Sequence, residues 1–504
     1  MFASSFYGSS TAEFIPARFG SAPLVLGALA IWLLATLGLR PLLLPDEGRY
    51  ATVALEMLHG NGLVPTLNGL PFFHKPPLFY WVDMVAMGLL GVGEATARFG
   101  SMVGAWIMGA CLFFSVRRTH NQQTALVAVA VIATSPFYFV GAQYANHDML
   151  VAGLITVAIL ALAQAAEKPP NVQLGWLVAG AVACALATLA KGLIGFVLPV
   201  LVIAPWLLVQ GRWRQVLRMM HPLALLAFIL VAAPWFIAMQ MRYPGFFDYF
   251  VTEQHFRRFA QSSFNNVQPF WFFIPVIPAL ILPWALWIPS ALRRAWIGRN
   301  AQVGLHVWWI VAVVGFFSLP SSKLVGYVLP VIAPLCALLA TALAQSSKNR
   351  VQTMVGLSAL ICMGIVVAIA WQAPKSSRGA ALALVAQIQP GDKVVMVDEY
   401  LYDVPFYARL REPVLIASDW TDVNLPLEDN WRKEVFDAAR FDPKLGHAVL
   451  QPLEKIDSLS CGKAAVWYPV SLSRVNRVAT LTGIVRIYAD KTAELWRAPA
   501  RACS

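Results

Sequence analysis

The hydrophobic positions of this chain form long uninterrupted runs that are separated by short polar loops. About 20 consecutive apolar residues cross a bilayer as a helix. Runs of that size predict eleven transmembrane segments, at residues 22–44, 98–116, 125–142, 149–166, 174–190, 192–209, 222–241, 269–292, 304–320, 326–344 and 351–372. The first run has no plausible cleavage site, so we predict an anchor rather than a removed signal peptide. The pattern is typical of a polytopic α-helical membrane protein.

The pattern changes after the last run. Short apolar stretches such as Lys393–Asp398 and Pro413–Ala417 have the length and composition of buried strands, with a helical stretch between them. A tail of about 130 residues has an ordinary domain size. We therefore predict a transmembrane module over 1–374, with a first external loop at about 45–97, and a soluble α/β domain over 375–504.

Composition agrees with this division and excludes other classes. Hydrophobic residues make up 58% of the chain and charged residues 13%, which excludes a cytosolic enzyme and a disordered chain. The net charge of +12 is uneven, because residues 375–504 hold 17 basic and 16 acidic side chains and the first 374 hold 21 and 10. A basic excess in membrane loops is typical of the positive-inside rule, so nothing indicates nucleic-acid binding.

The basic loops also predict the orientation. They alternate along the chain with loops that carry few cations, which places the N-terminus on the cytoplasmic side. The cytoplasmic residues would be Arg18, Arg117, Arg118, Lys168, Arg212, Arg214, Arg218, Arg293, Arg294, Arg299, Lys348 and Arg350. An odd number of spans places the C-terminal domain outside. Cys461 and Cys503 would both be external and able to pair, although their spacing does not establish a disulfide.

Acidic residues collect on the external side, where they contribute little to orientation, so a function is indicated. They are Asp46, Glu47, Glu56, Asp83, Glu94, Asp148, Asp248 and Glu253. Asp46 and Arg49 follow the first span directly, and their spacing places them on one face of a helix. The alternative is a solvated helix start, because acids favour helix N-termini.

Cationic residues occupy the same face. Lys75 precedes two prolines, which hold it in a stiff non-helical segment among aromatic residues. Such a lysine can bind a phosphate, or it can be a snorkelling residue in an aromatic belt. Lys191, Arg257, Arg258 and Tyr327 also lie at external loop edges. A charge at the membrane edge is expensive unless it is paired or liganded. Together these residues predict an external cavity for an anionic lipid phosphate, in an enzyme or a transporter.

The motifs resemble those of a known family. They are Asp46-Glu47-x-Arg49-Tyr50-Ala51, Leu63-Val64-Pro65 with Leu67-Asn68-Gly69, Lys75-Pro76-Pro77-Leu78 with Tyr80-Trp81, Asp148, Lys191-Gly192, His255 with Arg258-Phe259, and Ser322-Lys323 with Tyr327-x-Leu329-Pro330. In this order, over about residues 40–335, the chain resembles the lipid-carrier-dependent GT-C glycosyltransferases. The similarity is greatest to the aminoarabinose transferases of lipid A and to relatives of the protein O-mannosyltransferases.

The resemblance implies roles for individual residues. Asp46 would be the catalytic acid of the first loop, and Asp148 matches the family's second loop acid. Lys75 and Arg258 would contact the carrier phosphate, and Arg49, Lys191 and Tyr327 would line the same cavity. The resemblance also implies an undecaprenyl-phosphate sugar donor, the bacterial inner membrane and a periplasmic active site.

The chain departs from the family at two points. His74 stands where aminoarabinose transferases commonly have Glu, a residue that can hold a divalent metal with the loop histidine. His74 and His255 can still bind zinc, but two protein ligands are fewer than zinc sites usually have. The alternative is that both histidines are solvated or hydrogen-bonded and bind no metal. The chain also has about eleven spans where up to thirteen are expected.

These observations lead to one functional hypothesis with rivals. The chain would be an inverting glycosyltransferase that moves a single sugar, with 4-amino-4-deoxy-L-arabinose as the first choice, from undecaprenyl phosphate to lipid A phosphate. The first rival keeps the donor chemistry with a protein or O-antigen glycan as acceptor. A lipid transporter or flippase is the second rival, but its charges should lie near the membrane midplane in repeats. A silent lipid-binding subunit would not need Asp46, Lys75 and Arg258 together.

Overall fold

The computed structural model describes residues 21–257, 266–298, 300–372 and 375–501, with 255–257 described by their backbone only. Up to Gln372 the described chain is helical apart from one short hairpin. The helices are α1 (Ala22–Leu34), α2 (Asp46–His59), α3 (Leu78–Leu90), α4 (Phe99–Thr119), α5 (Gln122–Ala133), α6 (Pro136–Ala142), α7 (His147–Ala165), α8 (Leu174–Lys191), α9 (Ile194–Val209), α10 (Trp213–Met219), α11 (Pro222–Arg242), α12 (Phe273–Leu280), α13 (Ile288–Ile297), α14 (Ala301–Ser318), α15 (Ile332–Leu343) and α16 (Lys348–Gln372).

Tighter or wider helical turns and the hairpin complete this part. The 3-10 turns are Thr96–Arg98, Trp284–Trp287 and Val325–Val331, a π-helical segment runs over Asp248–Arg257, and the hairpin pairs β1 (Thr66–Leu67) with β2 (Leu70–Pro71).

The predicted spans correspond to helices, but three of them are bent or interrupted: 22–44, 125–142, where α5 and α6 meet at 65°, and 269–292. Among the described residues, seven helices are long and apolar enough to cross a membrane, and up to nine if the bent pairs α5–α6 and α12–α13 each count once. The remaining two predicted runs hold the shorter apolar helices α1 and α9. The run predicted at 22–44 is an α-helix only to Leu34, and Pro41 and Pro45 lie in the non-helical stretch that follows.

The run predicted as one span at 269–292 is the clearest correction. It is divided between α12 and the helical stretch Trp284–Ile297, and the two parts meet at an angle of 112°. Pro278 and Pro283 lack the backbone N–H groups that a straight helix needs there, so the chain turns instead of crossing as one rod.

The C-terminal part is an α/β domain, as predicted. Its strands are β3 (Lys393–Val397), β4 (Leu415–Ala417), β5 (Leu450–Gln451), β6 (Val466–Ser471), β7 (Val485–Ala489) and β8 (Ala493–Ala498). Its helices are α17 (Arg378–Val385), α18 (Asp403–Ala408), α19 (Trp431–Ala439), α20 (Pro443–Val449), α21 (Ile456–Leu459) and α22 (Val475–Val478), with 3-10 turns at Leu425–Leu427 and Leu453–Lys455. The sheet has the order β5-β4-β3-β6-β8-β7, parallel through its first four strands and antiparallel at β8 and β7.

This domain is joined closely to the first external loop. The main-chain N–H of Leu44 donates to Lys375 O at 2.9 Å, and the hydroxyl of Thr52 donates to Tyr402 O at 2.6 Å. Gly48 faces the start of α18, where a Cβ atom at position 48 would lie 2.9 Å from the backbone nitrogen of Asp403. Because only glycine permits this approach, α2 packs directly against the start of α18.

Candidate functional site

Asp46 and Arg49 form the ion pair that their spacing predicts. Asp46 is the first residue of α2, and its Oδ1 accepts from Arg49 Nη2 while the hydroxyl of Tyr144 lies 3.5 Å from Oδ2. The Asp46 side chain is 40% exposed, whereas that of Arg49 is 12% exposed. A carboxylate held from one side and open on the other can contact a substrate, and it also suits the first turn of a helix, so both predicted roles of Asp46 stay open.

The next residue, Glu47, has a structural task instead. Its carboxylate is fully buried and accepts hydrogen bonds from both Arg98 and Arg40. Burial alone would raise the pKa of Glu47, but the two guanidinium groups outweigh it and hold the pKa at about 2. Glu47 therefore locks the start of α2 onto the membrane helices.

Two more external acids are also structural. Glu56 accepts from the backbone N–H groups of Asn68 at 2.8 Å and Gly69 at 3.0 Å, which holds the hairpin on α2. Asp83 Oδ1 accepts from the N–H of Gly100 at 2.7 Å, in the first turn of α4. At least three of the eight acids predicted on the external side, Glu47, Glu56 and Asp83, therefore have structural partners.

Asp148, Lys191 and Tyr327 meet at a second point. Asn146 caps α7 by accepting from the N–H of Asp148 at 2.9 Å. Lys191, the last residue of α8, forms an ion pair with Asp148, and its ammonium lies 4.8 Å from the centre of the Tyr327 ring. A Cβ atom at Gly326 would lie 2.3 Å from Asp148 Oδ2, so glycine is needed where the chain passes the carboxylate. Asp148, Lys191, Gly326 and Tyr327 line a small cavity with Phe317 and Leu198.

His147 lies between the Asp46–Arg49 pair and the Asp148–Lys191 pair. Its ring is buried against the rings of Tyr50, Phe79 and Tyr80 at centroid distances of 4.6, 4.7 and 4.9 Å. The cations Lys75, Lys191 and Arg49 all lie within electrostatic reach of this ring. Three residues predicted to line the phosphate site, Arg49, Lys75 and Lys191, thus lie near one imidazole, and Asp46 and Asp148 are joined to this group through their ion pairs with Arg49 and Lys191.

His74 lies on the C-terminal-domain side of this group. Its ring stacks on Phe72 at 4.4 Å, and its Nδ1 lies 4.0 Å from Glu434 Oε1. Among the residues whose side chains are described, no group of three or more histidines, cysteines or carboxylates is placed to hold a metal ion. His255 belongs to the π-helical segment but its side chain lies outside the described residues, so zinc at His74 and His255 stays a prediction. Arg258 lies wholly outside the described residues.

Sequence reasoning missed Glu434. This residue of α19 forms an ion pair with Arg49 and accepts from the hydroxyl of Tyr402 at 2.6 Å. Burial alone would lower the pKa of Arg49, but Glu434 and Asp46 raise it well above its usual value. No motif marks Glu434, because it acts through a contact between residues 385 positions apart.

Curated relatives and a family profile match the membrane part of the chain. A profile described as dolichyl-phosphate-mannose-protein mannosyltransferase matches residues 74–237. The undecaprenyl phosphate-alpha-4-amino-4-deoxy-L-arabinose arabinosyl transferase of Erwinia tasmaniensis is 36% identical over 317 residues, which is 62% of this chain and 57% of that protein. A protein of that name with the number 2, from Pseudomonas fluorescens, is 34% identical over 355 residues, 69% of this chain and 64% of that protein. The matches thus span less than two thirds of these relatives.

Solved structures match over nearly the whole chain. The crystal structure of ArnT from Cupriavidus metallidurans bound to undecaprenyl phosphate has a TM-score of 0.81 at 22% identity, covering 95% of this chain and 98% of that one. The Archaeoglobus fulgidus oligosaccharyltransferase in the apo form has a TM-score of 0.56 at 13% identity, covering 91% and 70%. The predicted fold, a GT-C helical membrane module with a C-terminal α/β domain, is confirmed. So is the resemblance to lipid-carrier-dependent GT-C glycosyltransferases.

Proposed function

We propose that this chain is an inverting glycosyltransferase that moves one sugar from undecaprenyl phosphate to the phosphate of lipid A. The sugar would be 4-amino-4-deoxy-L-arabinose, the one named in the similar transferases. The observation that carries the proposal is that two carboxylate–cation pairs, Asp46–Arg49 and Asp148–Lys191, lie in one region of the protein, with their cations and Lys75 near His147. A lipid phosphate needs fixed cations, and a transferred sugar needs a carboxylate beside them.

The cations would act on the leaving group. As the bond between the anomeric carbon and the phosphate oxygen breaks, negative charge develops on the carrier phosphate, and Lys75, Arg49 and Arg258 would stabilise it. Such groups help most where they are already oriented before the reaction. The carrier would leave as undecaprenyl phosphate, while the acceptor oxygen bonds to the opposite face of the anomeric carbon.

The task of Asp46 depends on the acceptor. A hydroxyl acceptor must lose its proton, and Asp46 would receive it as general base. A lipid A phosphate is already ionised, so Asp46 would then orient the acceptor or stabilise positive charge at the anomeric centre. In both cases the open side of the Asp46 carboxylate would face the reacting atoms.

The orientation is also part of the proposal, with a cytoplasmic N-terminus and a periplasmic C-terminal domain in the bacterial inner membrane. Several residues predicted to be cytoplasmic lie together at the ends of α4 and α7 away from Asp46. There Arg118 pairs with Glu167, and Arg212 donates to Ala166 O. Cys461 is disulfide-bonded, which suits an oxidising compartment, while Cys503 lies outside the described residues.

The proposal is tested with purified protein in detergent, undecaprenyl-phosphate sugars and lipid A. We expect a lipid A mass increase of one sugar. Asp46→Asn should lower turnover by roughly 10²–10³-fold, the range for the loss of one preorganised electrostatic contact to the reacting centre. Lys75→Ala should cost roughly 10–100-fold through a lost charged contact. The matched control is Glu167→Gln, which removes a carboxylate at the opposite end of the helices and should leave turnover unchanged.

Full turnover in a folded Asp46→Asn protein would contradict the catalytic assignment. The match to the protein mannosyltransferase profile favours a protein as the second acceptor to test. Sugar transfer to a periplasmic protein or O-antigen glycan, and not to lipid A, would keep the donor chemistry and change the acceptor. Movement of the carrier lipid across a vesicle membrane without any sugar transfer would instead indicate a flippase.

A further inference from the structure

Helix α19 of the C-terminal domain lies between the first external loop and the π-helical segment Asp248–Arg257. Asn430 caps it by accepting from the N–H of Lys433 at 3.1 Å, which fixes the first turn. On one side of this turn Glu434 binds Arg49. On the other side Lys433 Nζ lies 3.9 Å from Glu253 Oε2. The orientation of α19 is therefore set by residues from both sides of the candidate site.

Arg49 is held from two domains. Its Nη2 donates to Asp46 of its own helix, and its Nη1 donates to Glu434 of α19. Its guanidinium also lies over the rings of Tyr50 at 4.9 Å and Tyr402 at 5.6 Å. A planar guanidinium with a carboxylate at each end cannot rotate without losing one of them. The position of Glu434 thus determines how Arg49 meets Asp46.

Glu434 is itself well oriented for this task. Its Oε2 accepts from the hydroxyl of Tyr402 at 2.6 Å, and its side chain is only 14% exposed. Tyr402 is carried by the segment between β3 and α18 that contacts α2, since Thr52 donates to its backbone oxygen. The Glu434 carboxylate is therefore held relative to α2 by its contacts with Arg49 and Tyr402.

We infer that Glu434 is a positioning residue of the transfer site, supplied by the C-terminal domain, that orients Arg49 and through it Asp46. The inference rests on the proposed function for its catalytic consequence. It gives the C-terminal domain a definite task, because the Asp46–Arg49 pair has its full set of contacts only when α19 is docked. A second consequence follows from charge, since Glu434 Oε1 lies 4.0 Å from His74, the neighbour of Lys75.

The negative charge of Glu434 allows an experiment to distinguish a positioning role from misfolding of the site. Glu434→Gln keeps the shape and an oxygen for Tyr402 but removes one negative charge beside the cations for the carrier phosphate. Binding of undecaprenyl phosphate should therefore become a few-fold tighter, because like-charge repulsion is lost. Turnover should nevertheless fall roughly 10–100-fold, because Arg49 loses a charged partner and Asp46 loses its orientation. A misfolded site would lose both binding and turnover.

The experiment measures the dissociation constant for undecaprenyl phosphate and, separately, turnover with the sugar donor. The variants are Glu434→Gln, Glu434→Asp, which should recover part of the turnover, and the matched control Glu428→Gln. Glu428 is a carboxylate of the same domain that is 41% exposed and pairs with Arg432, so its loss should change neither quantity.

Tighter or equal binding with lost turnover in Glu434→Gln, together with partial recovery in Glu434→Asp, supports the inference. If Glu434→Gln transfers sugar as fast as the wild type, the inference is wrong and the proposed function is unaffected. If the wild type transfers no sugar, the proposed function fails, and the binding measurement decides alone. Weaker binding of undecaprenyl phosphate by Glu434→Gln would then overturn the inference, and tighter binding would support the placement of Glu434 beside the phosphate cations.

Discussion

Replacement of Glu47 by glutamine should destabilise the whole protein, although the residue lies next to the candidate catalytic acid. Oε1 of Glu47 accepts from Arg98 Nε at 2.8 Å and from the N–H of Ala145 at 2.9 Å, and Oε2 accepts from the N–H of Leu43 at 2.9 Å. A glutamine would turn an NH₂ group towards one of these sets of donors. It would also leave two buried guanidinium groups, those of Arg98 and Arg40, without their anion.

The size of the effect can be worked in two ways. The pKa of Glu47 is lowered from its ordinary 4.5 to about 2, and one pKa unit corresponds to about 1.4 kcal/mol, so the ionised form contributes roughly 3 kcal/mol. Removal of one partner from a buried ion pair costs about 3–5 kcal/mol. Because the folded pKa is the lower one, this stability is complete above about pH 4.5 and is lost as the pH falls through about 2.

The assay is thermal denaturation in detergent at neutral pH, followed by tryptophan fluorescence at one heating rate. The Tm shift per kcal/mol falls with chain length and is about 1–2 °C for a chain of 504 residues, so Glu47→Gln should lower Tm by about 3 °C or more. The control Glu167→Gln breaks the exposed pair with Arg118 and should cost about 1 kcal/mol or less. If Glu47→Gln has the same Tm as Glu167→Gln, the buried ion pairs of Glu47 do not stabilise the start of α2, and the reasoning is refuted.

Three further changes test the positions where the chain is closest packed. Gly326→Ala would push a methyl group against the Asp148 carboxylate, so turnover should fall by about 10²-fold, a typical cost of a 1 Å misplacement, and the overpacking should cost about 1–3 kcal/mol of stability. Equal turnover in the folded variant would contradict the role of Asp148. Gly48→Ala should separate α2 from α18 at a cost of about 1–3 kcal/mol, seen as faster proteolysis of the C-terminal domain, and unchanged proteolysis would contradict that contact. Burial raises the pKa of Asp403 to about 6, so the stability linked to its protonated form is complete below its ordinary pKa of 3.8 and is lost as the pH rises through 6. The fall in Tm between pH 5 and pH 7.5 should therefore shrink in Asp403→Asn, and an unchanged fall would exclude this residue as the cause.

The sequence pattern predicts well what depends on neighbouring residues. Hydropathy locates the helices, because a membrane span needs a continuous apolar run whatever it packs against. The spacing of Asp46 and Arg49 predicts their ion pair, because three residues bring side chains to one face of a helix. The strands β3 and β4 lie where short apolar stretches predict them, since both are buried within the sheet.

Contacts that depend on tertiary packing were not predictable from one sequence. Glu434 reaches Arg49 only because the sheet places α19 above the first loop, and nothing in its local sequence differs from that of a solvated helix. The bend of 112° after α12 similarly depends on how the chain packs, because the prolines there permit a break without setting its angle. Distant partners and angles between helices are set by packing, so a periodic pattern carries no record of them.

Adjacent carboxylates at the start of α2 show how surroundings, and not residue type, divide the work. Glu47 is fully buried and its oxygens are occupied by hydrogen-bond donors, so it has no remaining capacity for a substrate. Asp46 shares Arg49 with Glu434 and keeps a side chain that is 40% exposed. Glu47 fixes the backbone at the start of α2, and Glu434 of α19 fixes the Arg49 side chain. Asp46 can therefore be oriented while its own side chain stays partly exposed. Loss of Glu47 should therefore appear first as lost protein, and loss of Asp46 as lost turnover in protein that still folds.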